Sequence, residues 1–158
     1  MQNFVYYAPT EVIFGKGVEA DTGRAAKKWG ATRVLLVYGG GSVRKSGLLQ
    51  RIQQALEDEN IYWEELGGVK PNPRLSLAEE GVQRALDMKA DFILAVGGGS
   101  VIDTAKGIAH GTANPGVKLW DIWTQKTALE KSLPVGVVLT IAAAGSEMSD
   151  SAALTNEE

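Results

Sequence analysis

Two nearly identical glycine corners carry the chemistry that this sequence can offer. The first is Tyr38-Gly39-Gly40-Gly41-Ser42-Val43, and the second is Val96-Gly97-Gly98-Gly99-Ser100-Val101-Ile102-Asp103-Thr104-Ala105-Lys106. Each follows an apolar run, Val34 to Val37 and Phe92 to Val96. Each also opens a helix; after the second, Val101, Ala105, Ile108 and Ala109 recur with helical spacing. A strand, a turn without Cβ atoms and a helix start make a seat for an anion. The first helical N–H groups lack internal partners, the helix dipole is positive there, and glycine admits a phosphate to the backbone. The second corner therefore reads as the pyrophosphate-binding turn of a dinucleotide domain. For one such turn alone, a glycine-rich connection that binds nothing is the plain alternative. A second copy of the same design favours a ligand site.

The residues around the corners sharpen the reading. The spacing is not Gly-x-Gly-x-x-Gly, because Asp103 and its neighbours stand where the third glycine belongs. Arg44 and Lys45 follow the first corner, and cations at a helix start oppose the dipole, so they suit a second phosphate near Ser42. The alternative is a solvated pair facing away from any ligand. NAD-selective folds set a carboxylate on the ribose 2′-OH, whereas NADP needs a neutral or cationic pocket. With Gly40, Gly41 and Ser42 and no acid at this turn, the expected cofactor is NADP(H). The stretch also approaches a P-loop, but Arg44 replaces the glycine required before the lysine. Asp103 is an acid expected in the first turn of its helix, serving either the dipole or the nicotinamide end of a cofactor. His110 is the single histidine and lies about 10 Å along the helix from Asp103 at ~1.5 Å per residue. That separation does not suit a shared metal, and His110 reads as a packing or surface residue. There are no cysteines, and no His, Asp and Glu cluster has ligand spacing, so these residues supply no complete transition-metal site. Glu147 and Asp150 read as caps or surface charges, and Trp29, Trp63, Trp120 and Trp123 as core or interface.

Positioning two such corners takes a sheet with helices. Apolar strands separated by helix-length segments mean βαβ units with right-handed crossovers. The expected fold class is α/β, with a Rossmann-like, mostly parallel sheet flanked by helices. Strands are expected over 33–38, 61–66, 91–96 and 134–139, and helices over 18–29, 43–59, 76–88 and 100–113, with 119–123 a short aromatic connection. Phe4 to Tyr7 and Glu11 to Phe14 read as two short strands split by Pro9, an N-terminal β-hairpin or edge strand. Three strand ends, Gly39 to Ser42, Gly97 to Ser100 and Thr140 to Gly145, then converge on one rim, where such sheets bind ligands. The 158 residues make one domain able to bury roughly 70% of its unfolded surface. A net charge of −3 argues against nucleic acid or a basic membrane face. Without a signal segment or a long apolar run, the expected compartment is the cytoplasm.

Taken together, several motifs resemble the iron-containing (group III) alcohol dehydrogenases. They are the second glycine corner with Asp103, Thr104 and Lys106, Phe14-Gly15-Lys16-Gly17, Pro71-Asn72-Pro73, and Thr140 with Gly145-Ser146-Glu147. The match runs in order along the whole chain, and Tyr38 to Ser42 looks most like the NADPH-dependent butanol dehydrogenase and aldehyde reductase branch. The resemblance implies that residues 1–158 are an N-terminal dinucleotide-binding domain, truncated relative to the family. A helical metal domain, with an aspartate and three histidines as ligands, would lie beyond Glu158. Residue by residue, it implies that Gly40, Gly41 and Ser42 meet the adenosine ribose and 2′-phosphate. Gly98, Gly99 and Ser100 would hold the pyrophosphate, Asp103 would be the acid near the nicotinamide, and Thr140 a cofactor-contacting threonine. Ala144 stands where the family commonly has another threonine, and Ala142 where this branch often has proline, so one hydrogen bond and some loop rigidity differ. The implied reaction is hydride transfer between nicotinamide C4 and a small alcohol or aldehyde such as butanol or butyraldehyde. A divalent metal, iron or zinc, would act as Lewis acid in the full-length protein, and the isolated chain is expected to be inactive. A homodimer is expected through the Phe4 to Tyr7 edge, because an unpaired apolar edge calls for cover. The rival readings are a stand-alone nucleotide-binding module and the N-terminal domain of a dehydroquinate synthase-like or glycerol dehydrogenase-like enzyme. The synthase reading calls for NAD and an acid on the 2′-OH, which Gly41-Ser42 does not offer.

Overall fold

The apolar runs become the middle of one parallel sheet in the computed structural model, which describes residues 3–5 and 7–158. Its strands are β1 (Arg33–Tyr38), β2 (Tyr62–Leu66), β3 (Phe92–Gly97) and β4 (Val135–Leu139), in the order β2-β1-β3-β4. Every residue of β3 is buried, as are Val34 to Tyr38 of β1. Strands covered on both faces have no reason to alternate, so their sequence is a continuous apolar run. Registers align the strand ends: Tyr38 pairs with Val96, and Gly97 with Leu139.

One face of the sheet, Leu35, Val37, Ile93 and Ala95, packs under Val101, Ile102, Ala105, Ile108 and Ala109 of α5 (Gly99–Ala113). The other face, Val34, Leu36, Tyr38, Leu94 and Val96, packs on Leu49, Ile52 and Leu56 of α3 (Leu48–Asp58). Burying an aliphatic side chain of this kind contributes roughly 1.5–3 kcal/mol, so the two layers fix the sheet between them. Helix α4 (Leu75–Asp87) lies along α5, where Gly111 leaves room for Val82. A third cluster, Leu75, Ala78, Leu119 and Leu154, ties the last residues to α4. Two backbone bonds complete that tie: the Leu75 N–H donates to Thr155 O (2.9 Å), and the Thr155 N–H to Pro73 O (2.7 Å).

Several expectations need correction. The helix expected over 43–59 is two helices, α2 (Ser42–Lys45) and α3, because Gly47 takes a left-handed conformation (φ 73°) that stops one and starts the next. The helix expected over 18–29 is a 3₁₀ turn, Val18–Asp21, followed by α1 (Thr22–Lys28). The connection at 119–123 is itself a short helix, α6 (Leu119–Trp123). The N-terminal hairpin does not form: residues 3–5 and 7–14 carry no strand, and Tyr6 lies outside the described residues. The reason is the missing ladder, since no described strand pairs with this segment. Glu11 is held by side chains instead, accepting from Lys28 Nζ (2.7 Å) and Trp29 Nε1 (2.9 Å).

Candidate functional site

The sheet order creates the site. From β1 the chain crosses to β2 on one side, and from β3 it crosses to β4 on the other. The adjacent ends of β1 and β3 are therefore the switch point where open α/β sheets receive ligands. Residues Gly39 to Ser42 leave β1 there, and Gly97 to Ser100 leave β3. The segment from Thr140 leaves β4 on the same rim, its Thr140 N–H donating to Gly97 O (3.1 Å). The three strand ends thus meet on one edge, as their spacing implied.

The first corner is open. A Cβ built at Gly40 would meet nothing within 4 Å, and one at Gly41 would meet only Lys45 Cε, at 3.7 Å. Ser42 begins the four-residue α2, whose Val43 is buried in the core beneath. Arg44 has a partner within the chain. Its guanidinium lies over the Tyr38 ring, 5.0 Å from the centroid, and its Nε donates to Tyr38 Oη (3.0 Å). It also bonds Glu65 near the end of β2, and Gln53 Nε2 donates to the other oxygen of that carboxylate (3.1 Å). The bond to Tyr38 first, and Glu65 second, hold the Arg44 guanidinium charged, above its ordinary value.

The second corner is covered by the chain's own loop. A Cβ at Gly97 would stand 2.6 Å from Val101 Cγ2, at Gly98 2.9 Å from Ile141 Cγ2, and at Gly99 3.2 Å from Ala144 Cβ. The loop that departs from β4 therefore lies directly on the glycine backbone, which is why no side chain fits there. No side chain caps α5, and Gly98 O accepts from the Val101 and Ile102 N–H groups (3.0 and 3.1 Å). The amides of Gly99 and Ser100, the first two helical residues, have no intrahelical acceptor. Ser100 itself is tied to its helix through its carbonyl, which accepts from Thr104 Oγ1 (2.8 Å).

Asp103 lies in the second turn of α5, not the first, so the dipole does not account for it. Its two oxygens accept from Ser146 Oγ (2.6 Å) and from the Ala153 N–H (3.2 Å). One turn further along the helix, Lys106 is buried, with Nζ donating to the carbonyls of Ser146 (2.7 Å), Ser149 (2.8 Å) and Ser151 (2.7 Å). Burial pushes the Lys106 ammonium below its ordinary value, while Asp103, Asp150 and Glu147 pull it back up. Sequence reasoning gave Lys106 no role. The available signal was an acid and a base three residues apart on a helix whose other residues, His110 apart, are apolar or small.

Thr140, Ala142 and Ala144 lie on the exposed loop beyond β4. His110 is a packing residue, its Nδ1 2.9 Å from Ser132 Oγ and its ring 5.7 Å from that of Trp123. Burial, and after it the charge of Lys106, push the His110 imidazole below its ordinary value. Trp120 and Trp123 pack on the third cluster, Trp63 packs on the second, and Trp29 is largely exposed. Among the described residues, no group of three His, Asp or Glu could hold a metal ion, and no helix is long and apolar enough to cross a membrane.

Comparison with known proteins agrees with this geometry. The family profile described as "Iron-containing alcohol dehydrogenase" matches residues 9–158. The "Probable NADH-dependent butanol dehydrogenase 2" of Bacillus subtilis is 48% identical over 158 residues, which are all of this chain and 40% of that protein. The "NADPH-dependent aldehyde reductase YqhD" of Escherichia coli is 38% identical, over 99% of this chain and 40% of that protein. Among solved structures, NADH-dependent butanol dehydrogenase A from Thermotoga maritima superposes with a TM-score of 0.96 at 44% identity, covering 99% of this chain and 39% of that one. The chain thus spans about 40% of the length of the curated relatives it matches.

Proposed function

The chain belongs to the iron-containing alcohol dehydrogenase family, and from that premise we propose that it is the N-terminal dinucleotide-binding domain of an NADP(H)-dependent alcohol dehydrogenase or aldehyde reductase. The observation that carries the reading is the pair of glycine corners on one rim at the switch point, the first with open space above Gly40 and Gly41. Glycine leaves that cradle free of Cβ atoms, and Ser42 stands at its edge, which supports a nucleotide there.

In this reading Gly40, Gly41 and Ser42 receive the adenosine ribose and its 2′-phosphate, with the cationic Arg44 held beside them by Tyr38 and Glu65. The amides of Gly99 and Ser100, at the start of the fifteen-residue α5, receive the pyrophosphate beside Gly98. Asp103 and Thr140 border the nicotinamide end, Asp103 acting largely through Ser146 and Ala153, which it binds. When bound, the cofactor supplies or accepts a hydride against a small alcohol or aldehyde. The described residues offer no donor set for a divalent metal such as iron or zinc, so no step is assigned to one here, and the isolated chain is read as inactive. The rim has no uncommitted acid at the 2′ position, since Glu65 is bonded to Arg44 and Gln53, and this favours NADP(H) over NAD(H). The relatives carry both names, NADH-dependent and NADPH-dependent, so both cofactors belong in the test. Cytoplasmic residence is part of the proposal, as is a homodimer through Phe4 to Tyr7, where Phe4, Val5 and Tyr7 expose apolar surface.

Titration calorimetry of the 158-residue chain with NADPH and NADH tests the reading. The expected result is measurable NADPH binding, weaker NADH binding, and no turnover of butyraldehyde with NADPH. Absence of binding to both nucleotides overturns the domain's assigned role, and turnover by this chain alone overturns its assigned inactivity. Light scattering reads the dimer, and a monomer at high concentration removes that part.

A further inference from the structure

The segment 140–153 is attached to the second glycine corner at three levels, and Lys106, which makes most of the third, has no role in the cofactor reading. At the first level, the Thr140 N–H donates to Gly97 O (3.1 Å). At the second, Ile141 Cγ2 and Ala144 Cβ lie 2.9 and 3.2 Å from where Cβ atoms of Gly98 and Gly99 would stand. At the third, α5 grips residues 146–153. Lys106 Nζ has three protons, and the carbonyls of Ser146, Ser149 and Ser151 take them at 2.7–2.8 Å. Ser146 Oγ lies 3.1 Å from the same nitrogen and donates a hydrogen bond to Asp103, which also accepts from the Ala153 N–H.

Such a convergence demands a particular chain path. Three carbonyls from a six-residue stretch reach one nitrogen because Gly145 turns the chain left-handed (φ 74°) into a 3₁₀ turn, Ser146–Met148. A lysine this buried gains little from solvent, so the three bonds hold its charge, and their loss would leave a buried cation without partners. The grip therefore also fixes the height of the 140–145 loop above Gly98 and Gly99, since the two are continuous.

We infer that Lys106 is a positioning residue, which sets the wall of the pyrophosphate and nicotinamide subsites by clamping residues 146–151 to α5. This rests on the cofactor reading proposed above. Among the described residues the first corner, at the end of β1, shares no hydrogen bond with the clamp, so the two ends of the ligand respond separately to its loss.

The test compares Lys106→Met with the unaltered chain in binding NADPH and adenosine 2′-monophosphate, a fragment that carries neither pyrophosphate nor nicotinamide and so engages only the first corner. Clamping predicts that NADPH weakens about ten-fold or more while the fragment changes by less than about two-fold. An unchanged NADPH affinity, or an equal loss for both ligands, overturns it. Ser146→Ala keeps all three carbonyls and shifts NADPH affinity in the same direction by less, so it serves if Lys106→Met does not fold. If the unaltered chain binds no NADPH, the cofactor reading fails, and amide hydrogen exchange then judges the clamp alone. Exchange across 140–146 about ten-fold faster in the variant, with β1 unchanged, upholds the clamp, and unchanged exchange across 140–146 overturns it.

Discussion

The two glycine corners share a sequence pattern and a rim, yet they lack side chains for opposite reasons. At Gly40 and Gly41 the space where a Cβ would go stays empty. At Gly97, Gly98 and Gly99 it is crowded by Val101, Ile141 and Ala144, at 2.6, 2.9 and 3.2 Å. The first corner opens a four-residue helix that ends at Ser46-Gly47, while the second opens a fifteen-residue helix with ten residues buried. Identical residues can therefore stand open in one place and lie under the protein's own side chains in the other. Only the surroundings decide which.

That contrast can be broken by substitution. The largest effect is expected at Gly97→Ala, whose methyl meets Val101 Cγ2 at 2.6 Å in a fully buried strand end. Overpacking of this kind costs about 1–3 kcal/mol, to be read from urea unfolding. Gly40→Ala is the counterpart. Its backbone does not have a positive φ, so stability should rise by about 0.4–1 kcal/mol while NADPH affinity falls about ten-fold. If both variants lost stability, the corners would be alike and the open cradle would be wrong. Next in size, Arg44→Ala should weaken NADPH several-fold and leave NADH unchanged, whereas Glu65→Gln, by releasing Arg44, should widen the preference for NADPH. Calorimetry with both nucleotides reads the ratio.

The smallest effect concerns the far end of α5. His110 has its folded pKa lowered by burial and by Lys106, so the fold favours its neutral form. Its stabilising contribution is present above the unfolded value of about 6.5 and is lost as pH falls toward the lowered folded value. His110→Gln should flatten thermal stability across that window, and a histidine titration followed by NMR should give a midpoint below the ordinary one.

What could be read from the residues followed local physics. Continuous apolar runs at 34–37 and 92–96 gave buried parallel strands, and the helical spacing after Ser100 gave α5 almost to its ends. The break at Gly47 was less legible, because a glycine inside an apolar-periodic stretch is often tolerated; only the left-handed backbone shows that this one is a stop. Apolar character at Phe4 to Tyr7 suggested a strand, but a strand needs a partner's hydrogen bonds, and composition does not supply one. The least legible feature was the pairing of Lys106 with carbonyls up to 45 residues away. Main-chain acceptors have no letter in a sequence.

That last point bears on how the segment after β4 can vary over evolutionary time. A cation seated among peptide oxygens recognises the course of the backbone and is indifferent to most of the residues that follow it. Ser149 and Ser151 are therefore open to replacement as long as the coil survives, whereas Gly145, whose backbone φ is positive, and Ser146, whose hydroxyl bridges Lys106 and Asp103, are not. Drift in this stretch should accordingly be patchy, with two fixed letters at its entrance and permissive ones behind them.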